Sequence, residues 1–570
     1  MREPDGDPSS LAAALGVSPL LARLLTLRGV GDPDRAQAFL GAGLADLPDP
    51  AVMTDLERAA SRLADACQRG QRVIVHGDYD VDGVVSTSLT TELLRRLGAA
   101  ADPTLPHRTR DGYGISAEQV AGYADRSYDL LVCCDCGVTA HGALELARDR
   151  GLEVVVLDHH QLDGELPPAV AVVDPVRDGD DGPHGPLCAA GVAFMAMIAT
   201  RRELRRRGCF EGGRREPNLG RYLDLVALAT VADMVPLVGS NRLLVRHGLR
   251  ELARRRRVGL AALLEVSGVA PDDPVDASTC GFRLGPRINA AGRLEDPVLA
   301  LELMGELDPV AATRRAVELD QLNHRRRTLE GRVLDEAIAQ LTAADAEDAG
   351  TRSGERRALA AMGEGWPPGV LGIVASRVGR RFFRPVVLLA QDGELATGSG
   401  RSIAGVDLLA ALRRTSELLE RHGGHAMAAG LTLRAERFEA FRARFEREAF
   451  ADLSLAPWTP AVEIDAELPV ERATLALAHE LRVLEPHGQG NPEPLFVDHG
   501  VEVRGVRPVK RGAVQLRLGP SPGIPSIAFR LPLPPEEIGR RVDVVFAVTP
   551  HRYRGVESVQ LRVADLRNAE

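Results

Sequence analysis

The sequence predicts an α/β protein: a parallel sheet domain, linking helices, and a small antiparallel β-barrel at the C-terminal end. Three observations carry this expectation. Between about residues 50 and 240, short unbroken apolar runs alternate with helical patterns, as they do where parallel strands are buried on both faces. Residues 241–345 are strongly helical, with "PVAATRRAVELDQLNHRRRTLEGRVLDEAIAQL" (Pro309 to Leu341) as the longest stretch. From about Trp458 onward the chain turns to short alternating strands, among them "AVQLRLG", "VDVVFAVTPHRYRG" and "ESVQLRVADL", the pattern of a barrel of about five strands. A chain of 570 residues exceeds what one hydrophobic core supports, so about three or four domains are expected.

In chain order, the N-terminus "MREPDGDPSS" is acidic and lacks the apolar centre of a signal peptide. A helix is expected over Asp55–Gln68, where Leu56, Ala59, Ala60, Leu63 and Cys67 recur at helical spacing. A strand at Val73–Val75 runs into Asp78, Asp80 and Asp82, and a helix from Gly83 to Leu97 stops at Gly98. "DLLVCCD" is a second strand ending at Asp135. A helix over His141–Arg150 separates it from "EVVVLD", which ends at Asp158 and is followed by His159 and His160. "LCAAGVAFMAMIA" (Leu187 to Ala199) reads as a buried helix, too short to span a bilayer. The apolar helix "YLDLVALATVADMVPL" (Tyr222 to Leu237) carries Asp233 just before Pro236.

This order places chemistry at one edge. Ligands of open parallel sheets bind beyond the carboxyl ends of the strands, where Asp78, Asp80, Asp82, Asp135, Asp158, His159 and His160 would gather. So many neighbouring carboxylates cannot all stay ionised without a cation. Aspartate and histidine donors without cysteine favour manganese or magnesium, and two ions roughly 3.5–4 Å apart would clamp a phosphoryl displacement. "CCDCG" offers a competing zinc reading. Cys133 and Cys136 have no second C-x-x-C partner in the chain, and a continuing strand would set them on opposite faces, so they read as core filler. Seven scattered cysteines form no disulfide framework and place the protein in a reducing cytoplasm.

The net charge of -10 argues against a broadly basic nucleic-acid coat. Arginines do cluster at Arg201–Arg207, Arg254–Arg257 and His324–Arg327. Singly these are solvated helix faces, and the last two, in the helical connector, are candidates to face nucleic acid. "ATGSGRSIAGVDL" and "RHGGHAMAAGL" are either tight turns or places where glycine backbone and an arginine fork approach a phosphate.

"GDYDVDG" (Gly77 to Gly83), "CDCG" around Asp135, "DHH" (Asp158 to His160) and "ATVADMVPL" around Asp233 together resemble the four motifs of the DHH phosphoesterase superfamily. "FRLGPRINAAGRL", "GVLGIVASRV", "GSGRS" and "HGGHAMAAGL" are similar to the RecJ family of single-strand-specific DNA exonucleases. The likeness runs from about residue 50 to the C-terminus. It implies an N-terminal segment (1–50), a DHH catalytic domain (51–240), a helical connector (241–345), a second α/β domain of DHHA1 type (346–455) and an OB-fold (456–570). It also implies a five-prime to three-prime exonuclease that hydrolyses single-stranded DNA with two Mn2+ or Mg2+ ions, releases mononucleotides, and acts in DNA repair and recombination.

By motif position the resemblance makes Asp78, Asp80, Asp82, Asp135, His159 and Asp233 the metal ligands, with Asp135 bridging. His76 sits where related phosphatases place a ligand, so its role beside Asp78 is open. Asp158 would orient a histidine, and His160 would touch the scissile phosphate. Ser399 and Arg401, with Arg108 and one of Arg287 or Arg293, would hold a five-prime phosphate, with His425 nearby, and Tyr113 would stack on a terminal base. In the barrel, Arg504, Arg507, Lys510, Arg511, Arg552 and Arg554 supply charge for a single strand. Single-strand-binding protein and a helicase are the implied partners, and the enzyme is expected to be monomeric, with no membrane association. The chain ends soon after the barrel, so a further partner-binding domain is not expected. Two alternatives differ in kind: a phosphatase for short oligonucleotides, nucleoside bisphosphates or pyrophosphate, whose relatives are shorter, and a non-catalytic scaffold, which would lack motif ligands that are all present here.

Overall fold

Three short helices open the chain, α1 (Pro8–Leu15), α2 (Pro19–Thr26) and α3 (Pro33–Gly41). Each starts on a proline behind Asp7, Ser18 or Asp32, whose side-chain oxygen accepts first-turn N–H groups. Proline presets the helical φ and lacks the N–H that would be orphaned there. The computed structural model describes residues 1–108, 110–162, 164–180, 182–213, 215–348, 356–447, 450, 460–509, 512–529, 531–553 and 555–569. It divides into two units: Met1–Ile288 with Pro297–Ala316 and Val462–Glu570, and Asn289–Asp296 with Val317–Ala461.

After α4 (Leu56–Arg69) strands and helices alternate: β1 (Arg72–His76), α5 (Val81–Leu97), β2 (Ala100–Thr104), α6 (Ala117–Asp125), β3 (Leu130–Cys134), α7 (His141–Asp149), β4 (Glu153–Leu157) and β5 (Ala171–Val173). The strands lie in the order β2-β1-β3-β4-β5, all parallel. Ile74, Leu131, Cys133, Val154 and Val156 share a core with Val120, Tyr123, Leu144 and Ala147 of α6 and α7. Alternate residues face the other side, where α4, α5 and α8 (Ala189–Arg206) pack. His76 pairs with Cys133, Cys134 with Leu157, and Leu157 with Val173. The strands therefore end nearly level, and the acids that follow them leave the sheet at one edge.

The continuing strand that would separate Cys133 and Cys136 stops short at that edge. The strand β3 ends at Cys134, and Asp135 takes a left-handed backbone with φ 63°, which turns the chain. Cys133 and Cys136 consequently share the α6–α7 side of the core rather than opposite faces. Both are buried free thiols.

Helices α9 (Leu223–Ala232), α10 (Gly239–Ala253) and α11 (Val258–Val266) follow, then a π-helical turn (Thr279–Leu284), α12 (Gly285–Leu294), α13 (Val298–Gly305) and the 40-residue α14 (Pro309–Asp348). All four arginines of 254–257 are committed internally: Arg254 and Arg256 to Glu251, Arg255 to the Val269 and Ala270 carbonyls, and Arg257 to Glu92 and Asp224. Arg202, Arg205, Arg206 and Arg207 likewise pair with Asp49, Glu216, Glu203 and Asp65. These arginines pair with acids of the same chain, Arg207 and Arg257 in partly buried sites and Arg202, Arg205, Arg206, Arg254 and Arg256 at the exposed surface.

The second unit is built on β6 (Leu359–Glu364), α15 (Pro368–Phe382), β7 (Val386–Asp392), β8 (Leu395–Arg401), α16 (Leu408–Arg413), β9 (Arg421–His425), β10 (Ala428–Arg434) and α17 (Phe438–Arg447). Its sheet runs β6-β7-β8-β10-β9, with β6–β7 parallel and the other pairs antiparallel.

The C-terminal part of the first unit holds β11 (Ala466–Glu467), α18 (Leu475–Leu481) and the barrel strands β12 (Phe496–Pro508), β13 (Val514–Leu518), β14 (Ile524–Ala528), β15 (Arg541–Tyr553) and β16 (Val556–Asn568). A β12–β15 pairing closes the ring β12-β13-β14-β16-β15, an OB-type barrel. Lys510, Arg511 and Arg554 lie outside the described residues. Leu11, Leu21, Leu24 and Leu25 belong to the same core as Phe496, Leu516, Phe546 and Leu561, so the N-terminal helices cover the barrel. Arg2 adds an ion pair to Asp465 at 2.9 Å. Arg242 of α10 donates to the carbonyls of Leu484, Val483 and Phe39, tying barrel, N-terminal helices and sheet domain together. Among the described residues no single helix is long and apolar enough to cross a membrane.

Burial, with Arg28, Arg242 and Arg562 nearby, pushes His487 down to about 3. Below the ordinary histidine range near 6.5 the unfolded chain takes up a proton that the folded chain refuses, so this residue destabilises the fold as pH falls from about 6.5 towards 3. The variant His487→Asn should lose less stability across that window than the wild type; urea denaturation at pH 7 and pH 5 measures the difference.

Candidate metal centre and anion cradle

Each acid of the rim is placed by its own local device. The loop after β1 folds back so tightly that a Cβ on Gly83 would lie 2.3 Å from the Asp78 carbonyl oxygen, and one on Gly77 1.9 Å from Thr87 Oγ1. Only glycine fits at either end of "GDYDVDG". Asp80 caps α5, its Oδ1 accepting from the N–H groups of Asp82 and Gly83. Asp82 accepts from the N–H groups of Ala189 and Ala190 at 2.6 and 2.8 Å, so the N-terminus of α8 holds its carboxylate. Asp233 ends α9, and Met234 after it is left-handed with φ 63°. Non-glycine residues in this region cluster at functional sites, and here two of them are Asp135 and the neighbour of Asp233.

These residues converge. Donor atoms of Asp78, Asp80 and Asp135 lie within 4.8 Å of one another, as do those of Asp82, His159 and Asp233, and those of Asp135, His159 and His160. His159 Nε2 stands 3.1 Å from Asp135 Oδ1, 3.6 Å from Asp82 Oδ2 and 3.8 Å from Asp233 Oδ2. Donors bound side by side to a magnesium-sized ion at 2.0–2.1 Å are about 3 Å apart, so the spacing suits a coordination shell. Asp135 belongs to the first and third of these groups, and its Oδ1 lies 3.1 Å from His159 Nε2, a member of the second.

Electrostatics agree with the geometry. Burial and the neighbouring Asp80 push Asp78 up to about 8, and burial with Asp82 and Asp80 does the same to Asp233. Burial, with the surrounding acids, raises Asp82 and Asp135 as well. Asp78 Oδ1 is buried with no hydrogen-bond partner among the described residues. Acids this desolvated and this close are suited to a divalent cation. His76 is in none of the ligand groups: buried between Tyr123 Oη at 2.9 Å and the Gly114 carbonyl at 3.3 Å, it is lowered by burial to about 4.

Asp158 does not join the acids. Its carboxylate accepts from the N–H groups of His159 and Val138 and sits 2.7 Å from His160 Nδ1. Despite burial, these contacts hold it below the usual range. Burial opposes charge on His160, yet Asp158 raises it to about 9. Asp174, which ends β5, has the same signature of an apolar run meeting an acid and was missed in the sequence. It is 1% exposed, and burial, then Asp158, pushes it up to about 7.

The remaining predicted residues fall in both units. In the first, Arg108 lies 3.9 Å over the Tyr79 ring, and Tyr113 reaches His160 at 3.1 Å. A Cβ on Gly285 would lie 3.5 Å from Ala232 and 3.9 Å from Val81. The start of α12 thus abuts the neighbours of Asp233 and Asp82, and Arg287 follows two residues on. In the second unit Arg401 Nη1 donates to Ser399 Oγ at 2.9 Å. Gly372 lies so near that a Cβ would meet Arg401 Nη2 at 2.5 Å, and Arg293 Nη1 donates to the Gly369 carbonyl at 3.0 Å. Ser399, Arg401 and Arg293 thus gather at the N-terminal turn of α15. His425 and Arg401 pair with opposite edges of Ala428, which sets them on one face of the sheet. A helix start, two glycines and two arginines make this a candidate anion cradle.

Comparison with known proteins follows the same division. The DHH family, N-terminal domain, matches residues 72–230, the DHHA1 domain residues 355–449, and the RecJ OB domain residues 464–565. The single-stranded-DNA-specific exonuclease RecJ of Dickeya dadantii (strain 3937) is 39% identical over 578 residues, covering 98% of this chain and 96% of the relative. The crystal structure of RecJ in complex with Mn2+ from Thermus thermophilus superposes with a TM-score of 0.81 at 33% identity, over 99% of this chain and 78% of that one. The Mg2+ complex of that protein gives 0.76 at 32% identity, over 99% of this chain and 77% of that one.

Asp135→Asn should relieve repulsion in the metal-free protein and raise its melting temperature. The same variant should lose the stabilisation that manganese confers on the wild type. Thermal melts with and without manganese read both effects.

Proposed function

The chain belongs to the RecJ family of single-stranded-DNA-specific exonucleases and is a metal-dependent exonuclease, and from that membership we propose that it removes mononucleotides from the five-prime end of single-stranded DNA by two-metal hydrolysis. The observation that carries the reading is the pair of ligand groups, Asp78–Asp80–Asp135 and Asp82–His159–Asp233, meeting at Asp135 and His159. When bound, manganese or magnesium ions supply positive charge against the phosphoryl oxygens and lower the pKa of the attacking water.

The chain's own residues then do the positioning. Asp158 fixes the His160 ring through Nδ1, leaving Nε2–H to donate to an oxygen of the scissile phosphate as charge builds there. The Tyr113 ring, 51% exposed, offers its face to the terminal base. For the five-prime phosphate the second unit offers Ser399, Arg401 and Arg293, with His425 on the same face as Arg401, and the first unit offers Arg108 and Arg287 as candidates of its own. An anion grip that recognises a terminal phosphate supports five-prime polarity, since only one end of the strand satisfies it. In this reading the enzyme works as a monomer in the cytoplasm, in DNA repair and recombination, on strands supplied by a helicase and single-strand-binding protein.

Strands blocked at one end or the other test the polarity. A five-prime block should abolish degradation and a three-prime block should leave it intact; the converse pattern would contradict the proposal. Arg401→Ala should raise KM for a five-prime-phosphorylated strand about 10- to 100-fold, the scale of a lost charge-assisted contact, and should erase the preference over a five-prime hydroxyl. Steady-state assays on the two substrates measure both.

A further inference from the structure

Tyr113 makes a contact that base stacking does not require. Its loop "DGYG" has left-handed glycines on both sides, Gly112 at φ 83° and Gly114 at φ 78°, and buried His76 anchors it through the Gly114 carbonyl. From there the phenol oxygen reaches 3.1 Å from His160 Nδ1, 3.2 Å from Nε2 and 3.4 Å from the main-chain carbonyl of Asp135. The two rings meet edge to face at 5.4 Å. A stacking platform needs only a ring face, so phenylalanine would serve. The hydroxyl, however, donates to the Asp135 carbonyl and lies within 3.2 Å of both ring nitrogens, so it braces the imidazole by contact while Nδ1 stays with Asp158 and Nε2–H stays available for the phosphate.

The partners make that bridge consequential. His160 Nδ1 is committed to Asp158 Oδ1 at 2.7 Å. One hydrogen bond leaves an imidazole free to swing about it, and a second contact from another element fixes its plane. Asp135 holds a left-handed backbone, a conformation that persists only where surrounding contacts over-determine it. Its carbonyl is a Tyr113 acceptor while its carboxylate faces His159.

We propose that Tyr113 is a positioning residue as well as a stacking surface: its hydroxyl clamps His160 against Asp158 and steadies the Asp135 main chain, aligning the imidazole with the scissile phosphate. This rests on the reading in which His160 contacts that phosphate. The ring and the hydroxyl then act on different kinetic constants, the first on substrate binding and the second on turnover.

Four full-length variants, assayed with manganese on a five-prime-phosphorylated single strand, separate these roles: Tyr113→Phe, Tyr113→Ala, His160→Ala and the His160→Ala/Tyr113→Phe double variant. Tyr113→Phe should lower kcat roughly tenfold with KM within about twofold of the wild type, whereas Tyr113→Ala should lower kcat and raise KM as well. In the His160→Ala background, Tyr113→Phe should change kcat by less than about twofold, because the group it positions is gone. Wild-type kcat in Tyr113→Phe beside an impaired His160→Ala would overturn the proposal and leave the His160 reading standing. An equal loss in both backgrounds would also overturn it, assigning the hydroxyl to something other than His160. Unchanged kcat in His160→Ala would overturn both.

Discussion

Crowded like charge is the constraint on which the molecule depends. Asp78, Asp82 and Asp135 are each at most 3% exposed, close enough to raise one another's pKa, with Asp80 and Asp233 beside them. Without compensation such a cluster works against folding. The fold applies backbone dipoles to part of the problem: the first turn of α5 is capped by Asp80, and that of α8 receives Asp82. What remains is a group of buried carboxylates that must take up protons or cations, and such a remnant of frustration is where a functional site is expected.

The same constraint explains the division of labour among neighbours in sequence. Asp158 and His159 are adjacent, yet one stays ionised through backbone N–H groups and an imidazole, and the other turns its Nε2 towards the acids. His160 follows and is held by Asp158 rather than by the ligand cluster. Within three residues at a strand end, Asp158 faces backbone N–H groups and the His160 ring, His159 faces the acid cluster, and His160 faces Asp158 and Tyr113.

Much of this was legible in the sequence. The parallel sheet and its acidic rim were readable because buried strands are unbroken apolar runs, and each run ends in an acid: Asp78 two residues past β1, Asp135 past β3, Asp158 past β4. The same rule would have found Asp174 past β5, but that strand spans only Ala171–Val173 and its run is short. What periodicity could not carry was backbone conformation and distant pairing. The left-handed Asp135 redirects Cys136 against the strand alternation. Arg257 looks like part of a basic run until the fold brings Glu92 and Asp224 to it. The covering of the barrel by α1 and α2 depends on contacts more than four hundred residues apart in sequence, such as Arg2 with Asp465, and an amphipathic pattern does not name its partner.

In the proposed reading Asp135 joins two cation sites, one completed by Asp78 and Asp80 and the other by Asp82, His159 and Asp233. Anomalous diffraction from crystals of the protein grown with manganese tests it directly. The account predicts two peaks about 3.5–4 Å apart with Asp135 oxygens at both. A single peak away from Asp135, or manganese absent from the cluster at saturating concentration, would contradict it.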